Sequence, residues 1–168
     1  MKRLLLSYLL LLFSFISFSQ TLEELDKKVI ELINIEEYEK AIPFGEKAVE
    51  IAKKTLGENH LDYAYSLNNL AVLYGNMGQY EKAEPVYLEA IKIRKKVLGE
   101  SHPSYANSLN NLAVLYGNMG QYEKAEPLYI QALGIRKKAL GENHPSYANS
   151  LNNLARLNKK SGKNKKEK

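Results

Sequence analysis

Apolar residues recur with the period of an α-helix through most of the chain that follows residue 21. Leu67, Leu70, Ala71 and Tyr74 fall at i, i+3, i+4 and i+7, the spacing that places side chains on one face of a helix. Gly78 follows this run, as glycine commonly does just beyond a helix C-terminus. The pattern therefore predicts a helix, called helix A, that stops at Gly78.

A second and longer helix, called helix B, is predicted after a short turn and runs to Gly99. The same helical spacing recurs there in Tyr80, Ala83, Tyr87, Ala90, Ile91, Arg94 and Leu98. Pro85 lies in the early turns and leaves the carbonyl of residue 81 without its donor, so we expect a mild bend and not a break. Pro43 and Pro127 repeat this feature. No alternating pattern predicts a strand.

The helix pair is repeated with a period of 42 residues. Residues 58–99 and 100–141 are identical at 32 of 42 aligned positions, and a third copy starts at residue 142 and degrades after residue 155. Such periods indicate stacked units with atypical ends. We predict repeats at about 22–57, 62–99 and 104–141, a capping helix at about 146–160 and a basic tail at 161–168.

The motif Leu-x-x-Leu-Ala-x-x-Tyr-x-x-x-Gly-x-Tyr-x-x-Ala-x-x-x-Tyr-x-x-Ala, which begins at Leu67, resembles the tetratricopeptide repeat. The usual unit has about 34 residues. The longer unit here is similar to the repeats of kinesin light chains and of many bacterial regulatory proteins. The resemblance implies an all-α, right-handed solenoid of antiparallel helix pairs. The first helix departs from the motif, with Lys28 in the place of Leu70 and Glu36 in the place of Gly78, which suits a solvated N-terminal cap.

The N-terminus has the pattern of a cleaved export signal. Lys2 and Arg3 precede an apolar run of about 15 residues, and small residues lie at −3 and −1 before Gln20. The run is shorter than the roughly 20 residues of a membrane-spanning helix. We therefore predict that residues 1–19 are removed, that no integral membrane segment remains, and that the protein is periplasmic or secreted. A membrane anchor is the alternative.

The positive charge of the chain is concentrated at its two ends. The formal net charge is +5, yet residues 21–158 carry 16 basic and 18 acidic side chains. We therefore expect no nucleic-acid partner. Arg94-Lys95-Lys96 and Arg136-Lys137-Lys138 are expected to be solvated at the ends of the B helices, where cations favour the helix dipole.

Candidate chemistry is sparse. The chain has no cysteine, which excludes disulfides and thiolate metal ligands. His60, His102 and His144 occupy one position in successive repeats, on the order of 8–10 Å or more apart, which is too far for shared zinc ligation. We expect them in the connections, with Asp62 capping its helix. No phosphate loop or catalytic triad is indicated, so neither a cofactor nor an enzymatic activity is expected.

A polar stripe lies beside the apolar face of each A helix. The resemblance places this stripe in the concave groove of the solenoid, where uncharged amides can both donate to and accept from a peptide backbone. The candidate groove residues are Tyr65, Asn68, Asn69, Val72, Asn76, Asn107, Asn110, Asn111, Val114, Asn118, Asn149, Asn152, Asn153 and Arg156. The competing interpretation is structural, with one amide of each pair bonded to the backbone of the adjacent repeat or to the helix connection.

The tyrosines divide into two groups. Tyr63, Tyr65 and Tyr105 are candidate apolar anchors for a ligand, and the predicted core tyrosines are Tyr74, Tyr80, Tyr87, Tyr116, Tyr122 and Tyr129. Only Arg156, Lys159 and Lys160 offer positive charge to the groove, so an acidic ligand is weakly supported.

These features predict an exported protein–protein interaction module that binds an extended peptide or partner segment. Two alternatives stay open. The chain could self-associate end to end, because the last helix has Leu151, Leu154 and Leu157 to bury. It could also be a short relative or a fragment of a multidomain signalling protein.

Overall fold

The computed structural model describes residues 21–162, so the predicted signal at residues 1–19 and most of the predicted tail lie outside the described residues. Every regular element within 21–162 is a helix. The helices are α1 (residues 21–34 of the described range), α2 (Tyr38–Leu56), α3 (Leu61–Asn76), α4 (Tyr80–Leu98), α5 (Pro103–Asn118), α6 (Tyr122–Leu140) and α7 (Pro145–Ser161). None of these helices is both long and apolar enough to cross a bilayer.

From α2 to α7 the helices pack in chain order, each against its neighbours along the chain. We call α1, α3, α5 and α7 the A helices and α2, α4 and α6 the B helices. The A helices also contact one another, α3 with α5 and α5 with α7. The predicted all-α array of adjacent helix pairs is confirmed.

The core follows the predicted apolar faces. Leu73 and Leu112 on the A helices are almost fully buried, and Ala41, Ala83 and Ala125 occupy one repeat position on the B helices with no exposed area. Alanine at these positions lets the paired helices approach closely. The predicted core tyrosines are buried or half-buried against this cluster, as expected.

The prolines within the B helices do not break them. α2, α4 and α6 each continue for 19 residues through Pro43, Pro85 and Pro127. This agrees with the expected absence of a break.

The histidines have a role that the sequence reasoning assigned to another residue. His60 is the N-cap of α3, and its Nδ1 accepts a hydrogen bond from the backbone N–H of Asp62 at 3.2 Å. His102 and His144 accept in the same way from the N–H groups of Ser104 and Ser146, at 3.0 and 3.1 Å. The expectation that Asp62 caps α3 was therefore wrong, because the N-cap is His60, whose imidazole nitrogen accepts from the N–H of Asp62 itself.

Glycines at positive φ end the A helices. Gly78 and Gly120 have φ of 71° and 74°, and Gln79 and Gln121 beyond them donate from their backbone N–H to the carbonyls of Tyr74 and Tyr116. After α1 the same position holds Glu36, with φ of 60°. A residue with a Cβ pays a steric cost of about 1–2 kcal/mol in this conformation.

Replacing Glu36 by Gly should therefore raise the free energy of unfolding by about 0.5–1 kcal/mol, since the relief of strain is partly offset by the greater freedom of glycine in the unfolded chain. Urea denaturation followed by circular dichroism measures the change. Gly120→Ala is the matched control and should lower stability, because a Cβ at Gly120 meets no neighbour and only the φ angle opposes it. An unchanged or lower stability of Glu36→Gly would contradict this account.

Candidate functional site

The structure places the predicted groove residues at different depths. The exposed ones are Tyr65, Asn76, Asn107, Asn118, Asn149, Asn152 and Arg156; the half-buried ones are Val72, Asn111, Val114 and Asn153; the buried ones are Asn68, Asn69 and Asn110. Each of α3, α5 and α7 therefore presents at least two of them to solvent. Residues at one repeat position also differ in exposure, since Asn68 and Asn110 are buried and Asn152 is exposed.

Some of these asparagines link successive A helices. Asn111 donates from Nδ2 to Oδ1 of Asn68 at 3.2 Å, and Asn153 donates from Nδ2 to Oδ1 of Asn110 at 3.3 Å. Both bonds join residues 43 apart, so they form a ladder between neighbouring repeats. The structural interpretation named the adjacent backbone or the helix connection as partner, whereas the partner is another amide side chain. Asn68 and Asn110, which accept these hydrogen bonds, therefore hold neighbouring repeats together.

The donors of the ladder keep part of their hydrogen-bonding capacity. An amide side chain offers two N–H groups and two acceptor sites, and the ladder uses one N–H of Asn111. Asn153 additionally accepts from Nη2 of Arg156 at 3.1 Å. A half-buried amide that still has an unused donor or acceptor can therefore bind both the neighbouring repeat and a ligand.

Two arginines that were expected in solvent are buried. Arg94 and Arg136 are 7% and 5% exposed, and each points from the end of a B helix to the start of the next A helix. Nη1 of Arg94 donates to the carbonyl of Ser104 at 3.1 Å and to Oγ of Ser108 at 2.6 Å. The expectation that these arginines are solvated was wrong, although Lys95 and the other lysines of both segments are exposed as predicted.

Arg136 repeats this arrangement and extends it to the predicted site. Its Nη1 donates to the carbonyl of Ser146 and to Oγ of Ser150, and its Nη2 donates to Oδ1 of the exposed Asn107 at 2.7 Å. Burial lowers the pKa of both arginines, because it disfavours the charged form. The recurring spacing of 14 residues between arginine and serine is the sequence signal that could have revealed this junction.

The first junction has a different polar chemistry. Ala52 stands where the later repeats have Arg94 and Arg136, and Asp26 stands where they have Asn68 and Asn110. The hydroxyl of Ser66 donates to both carboxylate oxygens of Asp26, at 3.1 and 3.2 Å. Burial raises the pKa of Asp26 to about 6; the Ser66 hydrogen bond opposes this shift and the negative charge of Asp62 adds to it. The sequence reasoning did not single out Asp26.

Two of the three candidate tyrosine anchors are unavailable to a ligand. Tyr63 and Tyr105 are 2% and 5% exposed, so their assignment as anchors was wrong. The hydroxyl of Tyr63 donates to Oε1 of Glu89 at 2.8 Å. Tyr65 remains 41% exposed. The i, i+2 spacing on α3 separates the two roles, since residues 63 and 65 face different sides of the helix.

A small notch brings several predicted residues together near the C-terminal end of the array. It encloses about 230 Å³ and is lined by Val114, Gly117, Asn118, Tyr129, Asn153, Arg156, Leu157 and Lys160. Four of these are predicted groove residues. The notch offers amides, one guanidinium and an apolar wall within one opening.

Glycines on the A helices set the distance between repeats. A Cβ at Gly75 would lie 3.3 Å from Cδ1 of Leu115, and a Cβ at Gly117 would lie 3.3 Å from Cδ1 of Leu157. These two glycines therefore allow the next A helix to approach closely.

A family model of the tetratricopeptide repeat matches residues 32–96, 68–138 and 104–167. The chain belongs to the tetratricopeptide repeat family. A search of curated proteins finds no match.

Solved structures of this family have the same fold. The chain is similar to BtubC (BKLC) from P. vanneervenii, with 26% identity and a TM-score of 0.75 over 84% of this chain and 56% of that one. It is also similar to a putative kinesin light chain with nearly identical repeats from Podosopora anserina, with 30% identity and a TM-score of 0.77 over 84% of this chain and 67% of that one. The predicted solenoid with kinesin-light-chain-like repeats is thus confirmed, and the chain spans about half to two thirds of the length of these proteins.

Replacing Asp26 by Asn should raise the free energy of unfolding by about 1 kcal/mol at pH 7.5, because the partly buried carboxylate is charged there and the amide is not. The folded pKa is about 6 against 3.8 for an ordinary carboxyl. The folded state therefore binds the proton more tightly, so the destabilisation by the charged carboxylate is absent below about pH 4, grows between about pH 4 and 6, and is complete above about pH 6.

Urea denaturation of both proteins at pH 7.5 and pH 4.5 measures this difference, with the exposed Glu24→Gln as the matched control on the same helix. The gain from Asp26→Asn should shrink at the lower pH. An equal gain at both values would show that the carboxylate charge is not its cause.

Proposed function

We propose that this protein is an exported interaction module that holds an extended segment of a partner protein along the A helices. Tetratricopeptide repeats are in general protein–protein interaction modules. The observation that carries the proposal is the row of exposed or half-buried side chains at equal repeat positions, Val72 and Asn76 on α3 and Val114 and Asn118 on α5. These residues alternate apolar surface with amides, and none of them takes part in the ladder.

The chemistry of this face suits a peptide backbone more than a particular side chain. Each neutral hydrogen bond contributes about 1 kcal/mol net, so half a dozen of them correspond to micromolar affinity at best. The proposal includes neither a catalytic residue nor a cofactor. Export, to the periplasm or out of the cell, is proposed from the pattern of residues 1–19.

The test is photo-cross-linking of the mature chain in native envelope and secreted fractions, followed by purification of each captured protein and measurement of its affinity. Asn76→Ala/Asn118→Ala is the variant, because both amides are exposed and lie outside the ladder. Leu88→Ala/Ile130→Ala is the matched control on the B helices, where these side chains are 47% and 54% exposed.

We expect the amide variant to bind the purified partner about fivefold or more weakly and the control to bind it unchanged. Circular dichroism and thermal unfolding establish that both variants are folded. The native protein from these fractions should begin at Gln20. Equal affinity of all three proteins would overturn the groove proposal, and an uncleaved N-terminus would overturn the proposed export.

Self-association is the second candidate, and one observation favours it. Leu151 on α7 is 46% exposed, whereas Leu67 and Leu109 at the same repeat position are each 3% exposed. In α3 and α5 the helix that follows covers this position. A second copy could cover Leu151 in its place.

If copies associate through this face, the apparent mass of the purified protein should rise with concentration, and Leu151→Gln should abolish the rise. Sedimentation at several concentrations measures it, with the exposed Leu88→Gln as control. A constant monomer mass would exclude this alternative.

A further inference from the structure

A pocket of about 890 Å³ lies at the N-terminal end of the described chain. We call it the N-terminal pocket. Leu22 and Ile30 on α1 and Leu56 at the end of α2 give it an apolar lining. Tyr65, a predicted groove residue, also lines it, so the pocket adjoins the polar face of α3.

The charged side chains of this pocket are mostly acidic. Glu23, Asp26 and Glu31 on α1 and Asp62 at the start of α3 line it, and Lys27 is the cation beside them; His60 also lines it. Among residues 21–162, the donor to Asp26 is the uncharged Ser66 hydroxyl, and no lysine or arginine pairs with this carboxylate. The partly buried carboxylate therefore lacks a cation within the described part of the chain.

The equivalent positions of the next repeat are not acidic. Moving by one period from α1 to α3 replaces Glu23 by Tyr65, Asp26 by Asn68 and Glu31 by Leu73. The first junction also lacks the buried arginine of the later ones, since Ala52 takes its place. The anionic character thus belongs to this end of the array and not to the repeat unit.

We propose that the N-terminal pocket binds a segment of a partner protein in which lysines or arginines flank an apolar side chain. The apolar side chain packs against Leu22, Ile30 and Leu56, and the flanking cations lie near the carboxylates. The complementary charge identifies the ligand, because an acidic segment would be repelled by Glu23, Asp26 and Asp62, whereas Glu31 is already paired with Lys28 at 3.3 Å. This inference rests on the proposed function only in that the ligand is a protein segment.

The test uses three fluorescein-labelled peptides of equal length and measures their binding by fluorescence anisotropy. In the first peptide leucines alternate with lysines, in the second glutamates replace the lysines, and in the third serines replace the leucines. The first should bind, and the second and third should bind at least about tenfold more weakly. Binding of the acidic peptide as tight as that of the basic one would overturn the proposal.

The variant is Glu23→Gln/Asp62→Asn, which neutralises one carboxylate on each of two helices of the pocket. Glu81→Gln/Glu123→Gln is the control, because it removes the same net charge from exposed positions at the starts of α4 and α6. We expect the pocket variant to bind the basic peptide about tenfold more weakly and the control to bind it unchanged. Equal weakening in both would indicate attraction to the net charge alone and would overturn the site.

The outcomes separate this inference from the groove proposal. If the pocket variant keeps the basic peptide while Asn76→Ala/Asn118→Ala loses the captured partner, the pocket assignment fails and the groove stands. If the pocket variant loses the peptide and the amide variant keeps the partner, the groove fails and the pocket stands. Concentration-dependent self-association that Glu23→Gln/Asp62→Asn abolishes would overturn the inference in favour of a second copy as the occupant.

Discussion

The spacing between successive A helices is the constraint on which the rest of the structure depends. Gly75 and Gly117 have no side chain, and Leu115 and Leu157 of the following A helix fill the space that a Cβ would need. At this distance the amides of the ladder reach each other at 3.2–3.3 Å. A wider spacing would break these hydrogen bonds and expose the leucines together, so apolar packing and polar contact depend on the same glycines.

The same constraint shapes the surface that is left for a ligand. Because the ladder uses Asn68 and Asn110 for packing, the face available to a partner consists of the positions beside them, such as Val72, Asn76 and their counterparts on α5. Backbone-directed amides confer little preference for particular side chains. If this face binds a partner as proposed, preference would come from the two ends of the array, where the repeats diverge, with carboxylates around Asp26 at one end and Arg156 at the other.

The fold could be predicted from the sequence because the same apolar pattern recurs in every repeat. An ambiguous helix boundary in one copy is therefore resolved by comparison with the next copy. The wrong assignments concern side chains whose environment is set by another helix. Arg94 occupies an apolar face and a helix end at once, and only its distance to Ser108 on the next A helix decides between burial and solvent. The error at the start of α3 is a local exception, because periodicity does not show that the ring of His60, and not the side chain of Asp62, caps this helix.

The divergence of α7 also limits how the array can be extended. Lys159 stands at the position of Gly75 and Gly117, and Asn158 stands at the position of Tyr74 and Tyr116. A side chain in place of the glycine prevents another A helix from approaching α7 as closely as α7 approaches α5. Any further helix, from this chain or another, therefore has to pack against the Leu151 side of α7 or at a different spacing. A helix of a second copy that covered Leu151 would thus take the place that α4 and α6 occupy against α3 and α5, but another A helix could not follow it at the same spacing.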